Sequence, residues 1–218
     1  MRGQFDEARG RLAAARLYVV SADADPAQQA NVLCAAIDGG AAIVQLRNKR
    51  AAAAELLDAA RRVAAHARAN SAVFIVNDLP DLVEASGADG VHVGQDGGAM
   101  LEVRARLPLG ALVGRSTHSL GQATAAESEG ADYLGVGPIH ATPTKPGRPA
   151  VGLALVGEVA AVIGTPWFAI GGLSQDNLAE VIKAGASCVA VVRAVAGAAD
   201  PRHAAEQLVV MLGEAVRV

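Results

Sequence analysis

Positively charged side chains cluster after two of the short apolar runs in this 218-residue sequence. Arg47 and Lys49 follow the run AIVQL, and Lys145 and Arg148 lie in the segment IHATPTKPGRPAVG. A lysine or arginine that is shielded from water donates charge-assisted hydrogen bonds to phosphate oxygens, each worth roughly 1.5–3 kcal/mol. The segment with Lys145 also has the proline, glycine and threonine content of an active-site loop. These cations indicate a site for a phosphorylated ligand.

Carboxylates follow two other apolar runs, with Asp78 shortly after VFIV and Asp96 shortly after VHV. Carboxylate oxygens suit Mg²⁺, which binds through one or two of them and completes its shell with waters and substrate phosphates. Cations and carboxylates at one mouth therefore predict a bound diphosphate with Mg²⁺ as its cofactor.

Two glycines, Gly171 and Gly172, follow the run WFAI and precede Ser174, which we expect to open a helix. Glycines in such a place let backbone N–H groups approach an anion closely. Val192 and Arg193 follow the last apolar run. The loops after the seventh and eighth strands are the usual phosphate site of an eight-stranded barrel, so a second pocket, for a monophosphate, is expected here.

Some of these residues also have a purely structural interpretation, which the sequence leaves open. Arg47 and Lys49 fit a solvated loop, and Asp78 fits a cap for a helix that begins near Pro80. His118, which follows the fifth run, is of a type that is often structural when it stands alone.

Eight β-rich runs recur along the chain and predict the elements that position these residues. They are LYVVS from Leu17, AIVQL from Ala42, VFIV from Val73, VHV from Val91, LVGRS from Leu112, YLGVG from Tyr133, WFAIG from Trp167 and CVAVV from Cys188. Ala-rich stretches with helical spacing separate them. Alternating strands and helices imply parallel crossovers, and eight such units close a barrel.

The predicted fold is therefore a single-domain α/β protein, a (β/α)8 TIM barrel, in which strand ends and the loops after them build the site. The phrase GAD or GAS ends a helix and leads into a strand three times, at Gly87, Gly130 and Gly185, as expected of a repeated unit. A doubly wound open sheet shows the same alternation, but the sequence lacks a GxGxxG motif after its first strand.

Composition and charge narrow the class of protein further. The chain is 52% hydrophobic but only 3% aromatic, and its formal net charge is −3. Without a global basic field, neither nucleic acid nor an anionic membrane is an expected partner. We expect small-molecule substrates as partners, and a homo-oligomer stays open.

The first 16 residues read as an N-terminal amphipathic extension, and residues 17–218 as the barrel catalytic domain. The N-terminus lacks the apolar core of a signal peptide, and apolar runs are interrupted by glycine or charge, so we expect a soluble cytoplasmic protein. Cys34 and Cys188 lie in apolar surroundings without CxxC spacing, which favours buried thiols over a zinc site or a disulfide.

Seven segments resemble the thiamine phosphate synthase family in order and spacing, from about Leu17 to the C-terminus. They are QLRNK at 45–49, VND at 76–78, GVHVGQD at 90–96, GRSTHS at 114–119, VGPIHATPTKPGRPAVGL at 136–153, FAIGGLS at 168–174 and VAVVRAV at 189–195. The combination is specific, above all the TPTK loop, whereas each piece alone is weak.

The resemblance implies a transferase that joins 4-amino-5-hydroxymethyl-2-methylpyrimidine diphosphate to a thiazole phosphate or carboxythiazole phosphate, with pyrophosphate release. Electrostatic stabilisation of the departing pyrophosphate and attack by the thiazole nitrogen would need no protein nucleophile. The resemblance places Arg47, Lys49, Ser116 and Lys145 in catalysis and Asp78 and Asp96 on Mg²⁺. It also implies substrate contacts for Gln45, Leu46, Arg47, Asn48, Lys49, Asn77, Ser116, His118, Thr142, Thr144, Lys145, Gly172, Val192 and Arg193.

One departure from the family pattern concerns the metal. The family carries two acidic positions after GVHVGQ, and the second is the usual ligand, whereas here Gly97 follows Asp96. Two other functions stay open, the first because of His118 in the segment GRSTHS and the second because of Gly97. One is a thiazole tautomerase of the same superfamily that uses His118, and the other is a barrel that binds thiamine intermediates without turnover.

Overall fold

Eight parallel strands close into a barrel in chain order in the computed structural model, which describes residues 2–142 and 147–215. The strands are β1 (Leu17–Val20), β2 (Ile43–Leu46), β3 (Val73–Asn77), β4 (Gly90–Val93), β5 (Leu112–Thr117), β6 (Tyr133–Val136), β7 (Trp167–Ile170) and β8 (Val189–Val191). β8 pairs with β1, which closes the ring. The prediction of a (β/α)8 barrel, rather than an open sheet, is confirmed.

Helix α1 precedes the first strand, and the other helices follow the strands and surround the barrel. They are α1 (Arg2–Ala14), α2 (Pro26–Asp38), α3 (Ala53–Ala69), α4 (Asp81–Ser86), α5 (Met100–Ala105), α6 (Leu120–Ser128), α7 (Gly152–Val162), α8 (Leu178–Lys183), α9 (Arg193–Ala196) and α10 (Pro201–Ala215). Among the described helices, none combines the length and the apolar character that a membrane crossing requires.

The apolar side chains form two layers, because successive residues of a strand point to opposite faces of the sheet. Val19 and Val44 belong to the layer between the barrel and its helices. Tyr18 and Ile43, their neighbours in sequence, belong to the cluster inside the barrel. The alternation therefore determines which residues can reach the barrel interior.

The repeated GAD phrase joins neighbouring units at the N-terminal end of the barrel. The Asp89 carboxylate accepts a hydrogen bond from the backbone N–H of Phe74 at 2.9 Å, and the Asp132 carboxylate accepts one from Val113 at 2.7 Å. Burial raises the pKa of Asp89. The phrase is thus a structural device, in keeping with the stabilising role of this end of the fold.

Helix α1 covers the same end of the barrel. The Gln4 side chain donates to Asp89 at 3.0 Å, and Arg9 forms an ion pair with Asp132. Ala8 and Leu12 are buried against the side chains inside the barrel. The first 16 residues therefore include a helix that seals the apolar interior from below, opposite the strand ends that carry the predicted site.

We expect Leu12→Ala to lower the free energy of unfolding by about 2–5 kcal/mol, because the buried side chain leaves a cavity between α1 and the barrel. Leu101→Ala is the matched control, since Leu101 is 80% exposed and its truncation should change stability by less than about 0.5 kcal/mol. Urea unfolding followed by circular dichroism measures both. Equal stabilities of the two variants would contradict the sealing role of α1.

Candidate active site

A cavity of about 400 Å³ opens at the C-terminal end of the barrel, a size that suits a small ligand. Its wall draws on the ends of several strands. Among the predicted site residues, the wall includes Gln45, Arg47, Asn77, Ser116, His118, Thr142, Gly172, Val192 and Arg193. Thr144 and Lys145, which were predicted to bind substrate, lie outside the described residues. One cavity thus brings together residues from both predicted anion sites.

Arg47 is held in place by the loop that follows β1 and by helix α2. Its backbone N–H donates to Ser21 Oγ at 2.9 Å, and its carbonyl accepts from Gln29 Nε2 at 2.7 Å. Its guanidinium lies 3.6 Å from Asp23 Oδ1, and only 11% of the side chain is exposed. Arg47 is therefore an anchored cation of the cavity wall and not a solvated loop charge.

The three residues predicted beside Arg47 are not among the described residues that line the cavity. They are Leu46, Asn48 and Lys49. The Leu46 side chain is buried between the barrel and its helices. Asn48 organises its own loop, since its Oδ1 accepts from the backbone N–H groups of Arg50 and Ala51 at 2.9 Å. Lys49 is exposed, and its backbone N–H donates to Asp23 at 3.1 Å. Substrate contacts by these three residues stay predictions.

Asp78 follows β3 with a φ of +57°, a left-handed conformation that is uncommon outside glycine and is often found at functional sites. Its Oδ2 accepts from Asn77 Nδ2 at 2.7 Å, and its Oδ1 accepts from the Gly94 N–H at 3.4 Å. Helix α4 has Pro80 at its N-cap, without a side-chain cap. Asp78 therefore does not cap the helix, and its exposed carboxylate lies at the rim of the barrel.

The loop after β4 is fixed by a residue that the sequence analysis did not single out. Arg115 on β5 is buried and donates to the carbonyls of Gly94 and Gly98, each at 2.7 Å. A Cβ on Gly97 would lie 2.8 Å from the Cβ of Val93, so this loop conformation has no room for a larger residue there. The exposed Asp96 is the carboxylate that the loop provides.

Asp78 and Asp96 form a sparse donor set for a metal ion. Within residues 2–142 and 147–215, no group of three His, Cys, Asp or Glu side chains could hold an ion by itself. Mg²⁺ needs only one or two carboxylates when waters and phosphate oxygens complete its octahedron. The residues present therefore fit an ion that arrives with a diphosphate rather than a cage made by the protein alone.

Aromatic rings form the floor of the cavity. The rings of Tyr18 and Phe168 meet edge to face with centroids 5.3 Å apart, and those of Tyr133 and Phe168 do so at 6.0 Å. Edge-to-face packing of this kind is favourable and holds each ring in one orientation. Tyr18 and Phe168 line the cavity, and Tyr133 packs against both. The floor is therefore aromatic and closely packed, and it lies below polar walls.

His118 faces the cavity from the end of β5. Its Nδ1 hydrogen-bonds to the Gly137 carbonyl, which can only accept, so Nδ1 carries a proton. The backbone N–H of His118 donates to Gln122 Oε1 at 2.8 Å. These contacts orient the ring.

The loop after β7 has a backbone conformation that favours glycine at two positions. Gly171 and Gly172 have φ values of +106° and +67°, and a Cβ on Gly172 would lie 2.7 Å from the Cβ of His140. Asn177 holds this loop, since its Nδ2 donates to the Gly172 carbonyl and its Oδ1 accepts from the Ser174 N–H, both at 2.9 Å. The prediction that Ser174 opens the helix is wrong, because α8 begins at Leu178 after this turn.

Comparison with known proteins places the chain among enzymes of one kind. The sequence model of the thiamine monophosphate synthase family matches residues 17–195. The thiamine-phosphate synthase of Mycolicibacterium gilvum is 47% identical over 94% of this chain and 91% of that protein. The thiamine-phosphate synthase of Gloeobacter violaceus is also 47% identical, over 88% of this chain, which spans only 56% of that longer relative.

A solved structure has the same fold along nearly its whole length. The thiamine phosphate pyrophosphorylase from Pyrococcus furiosus superimposes with a TM-score of 0.86 at 33% sequence identity. The match covers 95% of this chain and 98% of the other.

We expect Arg115→Met to loosen the loop after β4. Loss of two charge-assisted hydrogen bonds to carbonyls should lower the free energy of unfolding by about 1.5–3 kcal/mol. It should also speed hydrogen exchange at the Gly97 amide, which donates to the Gly94 carbonyl, by at least about tenfold. Exchange measured by mass spectrometry tests this.

Arg106→Met is the control for this variant, since Arg106 forms an exposed ion pair with Asp81 away from the loop. It should leave exchange at residues 94–98 unchanged. If the Arg115 variant also left exchange in this loop unchanged, Arg115 would not be what holds it.

Proposed function

The chain belongs to the thiamine monophosphate synthase family, and from this membership we propose that it joins 4-amino-5-hydroxymethyl-2-methylpyrimidine diphosphate to a thiazole phosphate, forming thiamine phosphate and pyrophosphate. The enzyme is a transferase. One observation carries the proposal: a single cavity has an anchored cation and a hydroxyl on one side, Arg47 and Ser116, and a glycine loop on the other, at Gly172. Two phosphorylated substrates need two such anion sites within reach of each other.

The pyrimidine diphosphate occupies the side of Gln45, Arg47, Asn77 and Ser116 in this proposal. The bond between the exocyclic methylene carbon and the diphosphate oxygen breaks, and its electron pair leaves with pyrophosphate. The Arg47 guanidinium and the Ser116 hydroxyl stabilise the charge that grows on the leaving oxygens. Lys49 and Lys145 are proposed to add to this stabilisation. The aminopyrimidine ring delocalises the positive charge that stays on the methylene carbon.

Asp78 and Asp96 are the residues that would hold Mg²⁺ beside the diphosphate. When bound, the ion would neutralise part of the pyrophosphate charge as a Lewis acid. The protein's own contribution is the left-handed turn at Asp78 and the loop that Arg115 holds, which keep both carboxylates at the rim. Because residue 97 is glycine, Asp96 is the acidic residue that the segment GQDGG offers to a metal ion.

The thiazole phosphate occupies the side of the glycine loop. Backbone groups at Gly172, Val192 and Arg193 would receive its phosphate, with Thr142 beside it. A contact from Thr144, which lies outside the described residues, is part of the proposal. The thiazole nitrogen then attacks the methylene carbon and forms the new C–N bond. The barrel positions two substrates over a rigid aromatic floor, and positioning of this kind supplies much of the catalysis. The partners in this proposal are small molecules, and the setting is the cytoplasm.

We expect Arg47→Met to lower kcat/KM for the pyrimidine diphosphate by about 10²–10³-fold, because the variant removes a charge that acts most strongly on the leaving group. The assay is pyrophosphate release, with and without thiazole phosphate, together with detection of thiamine phosphate. Arg50→Met is the matched control, since Arg50 is exposed in the same loop, and its kcat/KM should stay within about twofold of the wild type. Wild-type protein that released no thiazole-dependent pyrophosphate would overturn the proposal.

The oriented ring of His118 keeps one other function in view, proton transfer on a carboxythiazole phosphate by a tautomerase. His118→Asn distinguishes the two functions. If the protein is a synthase, the variant should still form thiamine phosphate at a rate within about tenfold of the wild type, because the histidine is not needed for bond cleavage. Isomerisation of carboxythiazole phosphate by the wild type without any pyrimidine diphosphate, abolished in the variant, would instead identify a tautomerase.

A further inference from the structure

A series of hydrogen bonds crosses the inside of the barrel at the bottom of the cavity. Gln45 Nε2 donates to Tyr18 Oη at 2.5 Å, and the Oη atoms of Tyr18 and Tyr133 lie 3.1 Å apart. Tyr133 Oη lies 3.2 Å from His92 Nδ1, and His92 Nε2 lies 3.0 Å from Ser116 Oγ. This chain of hydrogen bonds thus connects Gln45 and Ser116 through Tyr18, Tyr133 and His92, of which Tyr18 and His92 also line the cavity.

The sequence provides the space for this chain. Both tyrosines and Gln45 are at most 3% exposed. A Cβ on Gly114 would lie 2.2 Å from the Tyr133 ring and 2.5 Å from His92 Nδ1. Only glycine at this position of β5 lets the phenol and the imidazole meet, so the contact is built into the strand.

The number of protons that each group carries decides which group donates and which accepts at each of these hydrogen bonds. Burial raises the pKa of Tyr18 and of Tyr133, so each phenol keeps one proton to donate. Tyr18 accepts from Gln45. Either hydroxyl of the Tyr18–Tyr133 pair can donate, and since Tyr18 already accepts from Gln45, we assign its own proton to Tyr133. Tyr133 then donates to His92 Nδ1, because a buried hydroxyl without an acceptor is unfavourable.

His92 extends this order of donors and acceptors to Ser116 in the cavity wall. With Nδ1 as acceptor, the neutral His92 ring carries its proton on Nε2 and donates to Ser116 Oγ. The Ser116 hydroxyl has one proton of its own, and with its oxygen accepting from His92 that proton is available to a ligand in the cavity. Ser116 is thereby set as a donor, the role that a phosphate oxygen requires.

The opposite end of the chain has the complementary property. An amide that gives its Nε2 to Tyr18 presents Oε1 as its acceptor, which suits the amino group of an aminopyrimidine. Rotation of the Gln45 amide by half a turn would present Oε1 to Tyr18, and every hydrogen bond in the chain would reverse. Ser116 would then donate inward to His92 and would no longer serve an anion.

We propose that Tyr18 and Tyr133 are positioning residues that, through His92, couple the orientation of the Gln45 amide to that of the Ser116 hydroxyl. This inference rests on the proposed function for the identity of the ligand. It adds a basis for specificity: an amino group on the pyrimidine and a diphosphate on its side chain are recognised together, and a ring that offers an acceptor instead of the amino group turns Ser116 away from the diphosphate.

The first test is the tautomer of His92, measured by ¹⁵N NMR of histidine-labelled protein and assigned by comparison with His92→Gln. The wild type should show neutral His92 protonated at Nε2. Tyr133→Phe keeps the ring but removes the donor to Nδ1, and the tautomer preference should be lost. Wild-type His92 protonated at Nδ1, or an unchanged tautomer in the variant, would overturn the inference.

The second test uses inorganic pyrophosphate with Mg²⁺ as the probe in isothermal titration. Tyr133→Phe should raise the Kd for pyrophosphate by about 3–10-fold. This increase is smaller than the complete loss of a hydrogen bond to a charged group would cause, because Ser116 itself stays in place. In a Ser116→Ala background the same change should have no further effect, because the coupling passes through that hydroxyl. Additive effects of the two substitutions would contradict the coupling.

Thr117→Val is the matched control for loss of a buried hydroxyl. Thr117 is next to Ser116 but fully buried, and its Oγ1 donates to the Gly135 carbonyl at 3.2 Å. This variant should change neither the His92 tautomer nor the Kd for pyrophosphate. If the wild type bound no pyrophosphate, the proposed function would fail, whereas the tautomer would still decide the direction of the chain.

Discussion

Closure of the parallel barrel is the constraint on which the rest of this structure depends. Because β8 pairs with β1, the C-terminal ends of all eight strands meet on one rim. Residues far apart in sequence, such as Arg47 and Arg193, therefore share one cavity wall. Closure also encloses a column of side chains inside the barrel. The polarity and size of each inward-facing residue have to suit its position along the barrel axis.

The two ends of this column differ in polarity and in function. At the N-terminal end, α1 seals the apolar interior, and Asp89 and Asp132 bind backbone N–H groups of neighbouring strands. At the C-terminal end, polar side chains face a cavity. Between them lie the two tyrosines and His92, which are buried yet hydrogen-bonded, so the polar rim continues inward without leaving unpaired groups.

The sequence allowed much of this to be predicted where the signal is local. Eight apolar runs and the helices between them predicted the barrel, and the strand-end rule led to most of the polar side chains of the cavity wall, although not to Tyr18 and His92. The same alternation that brings Gln45 and Arg47 to one face turns Leu46 to the other, where its side chain packs under the helices. The predicted substrate contact of Leu46 came from treating QLRNK as a block, and it stays a prediction.

Other features depend on contacts between distant residues, which local patterns do not reveal. The polar run SADAD after β1 was a usable signal for the residues that anchor Arg47, whereas Arg115 looks like any other charge until β4 and β5 are paired. The link from Tyr133 to His92 requires the registers of three strands together with a glycine at 114.

The most direct test of the account is a crystal structure of the protein with thiamine phosphate, pyrophosphate and Mg²⁺. We predict pyrophosphate within hydrogen-bond distance of Arg47 and Ser116, with Mg²⁺ between it and Asp78. The phosphate of thiamine phosphate should lie at the backbone of Gly172 and Val192. Density for both anions on the same side of the cavity, or away from it, would contradict the assignment of two anion sites to one barrel mouth.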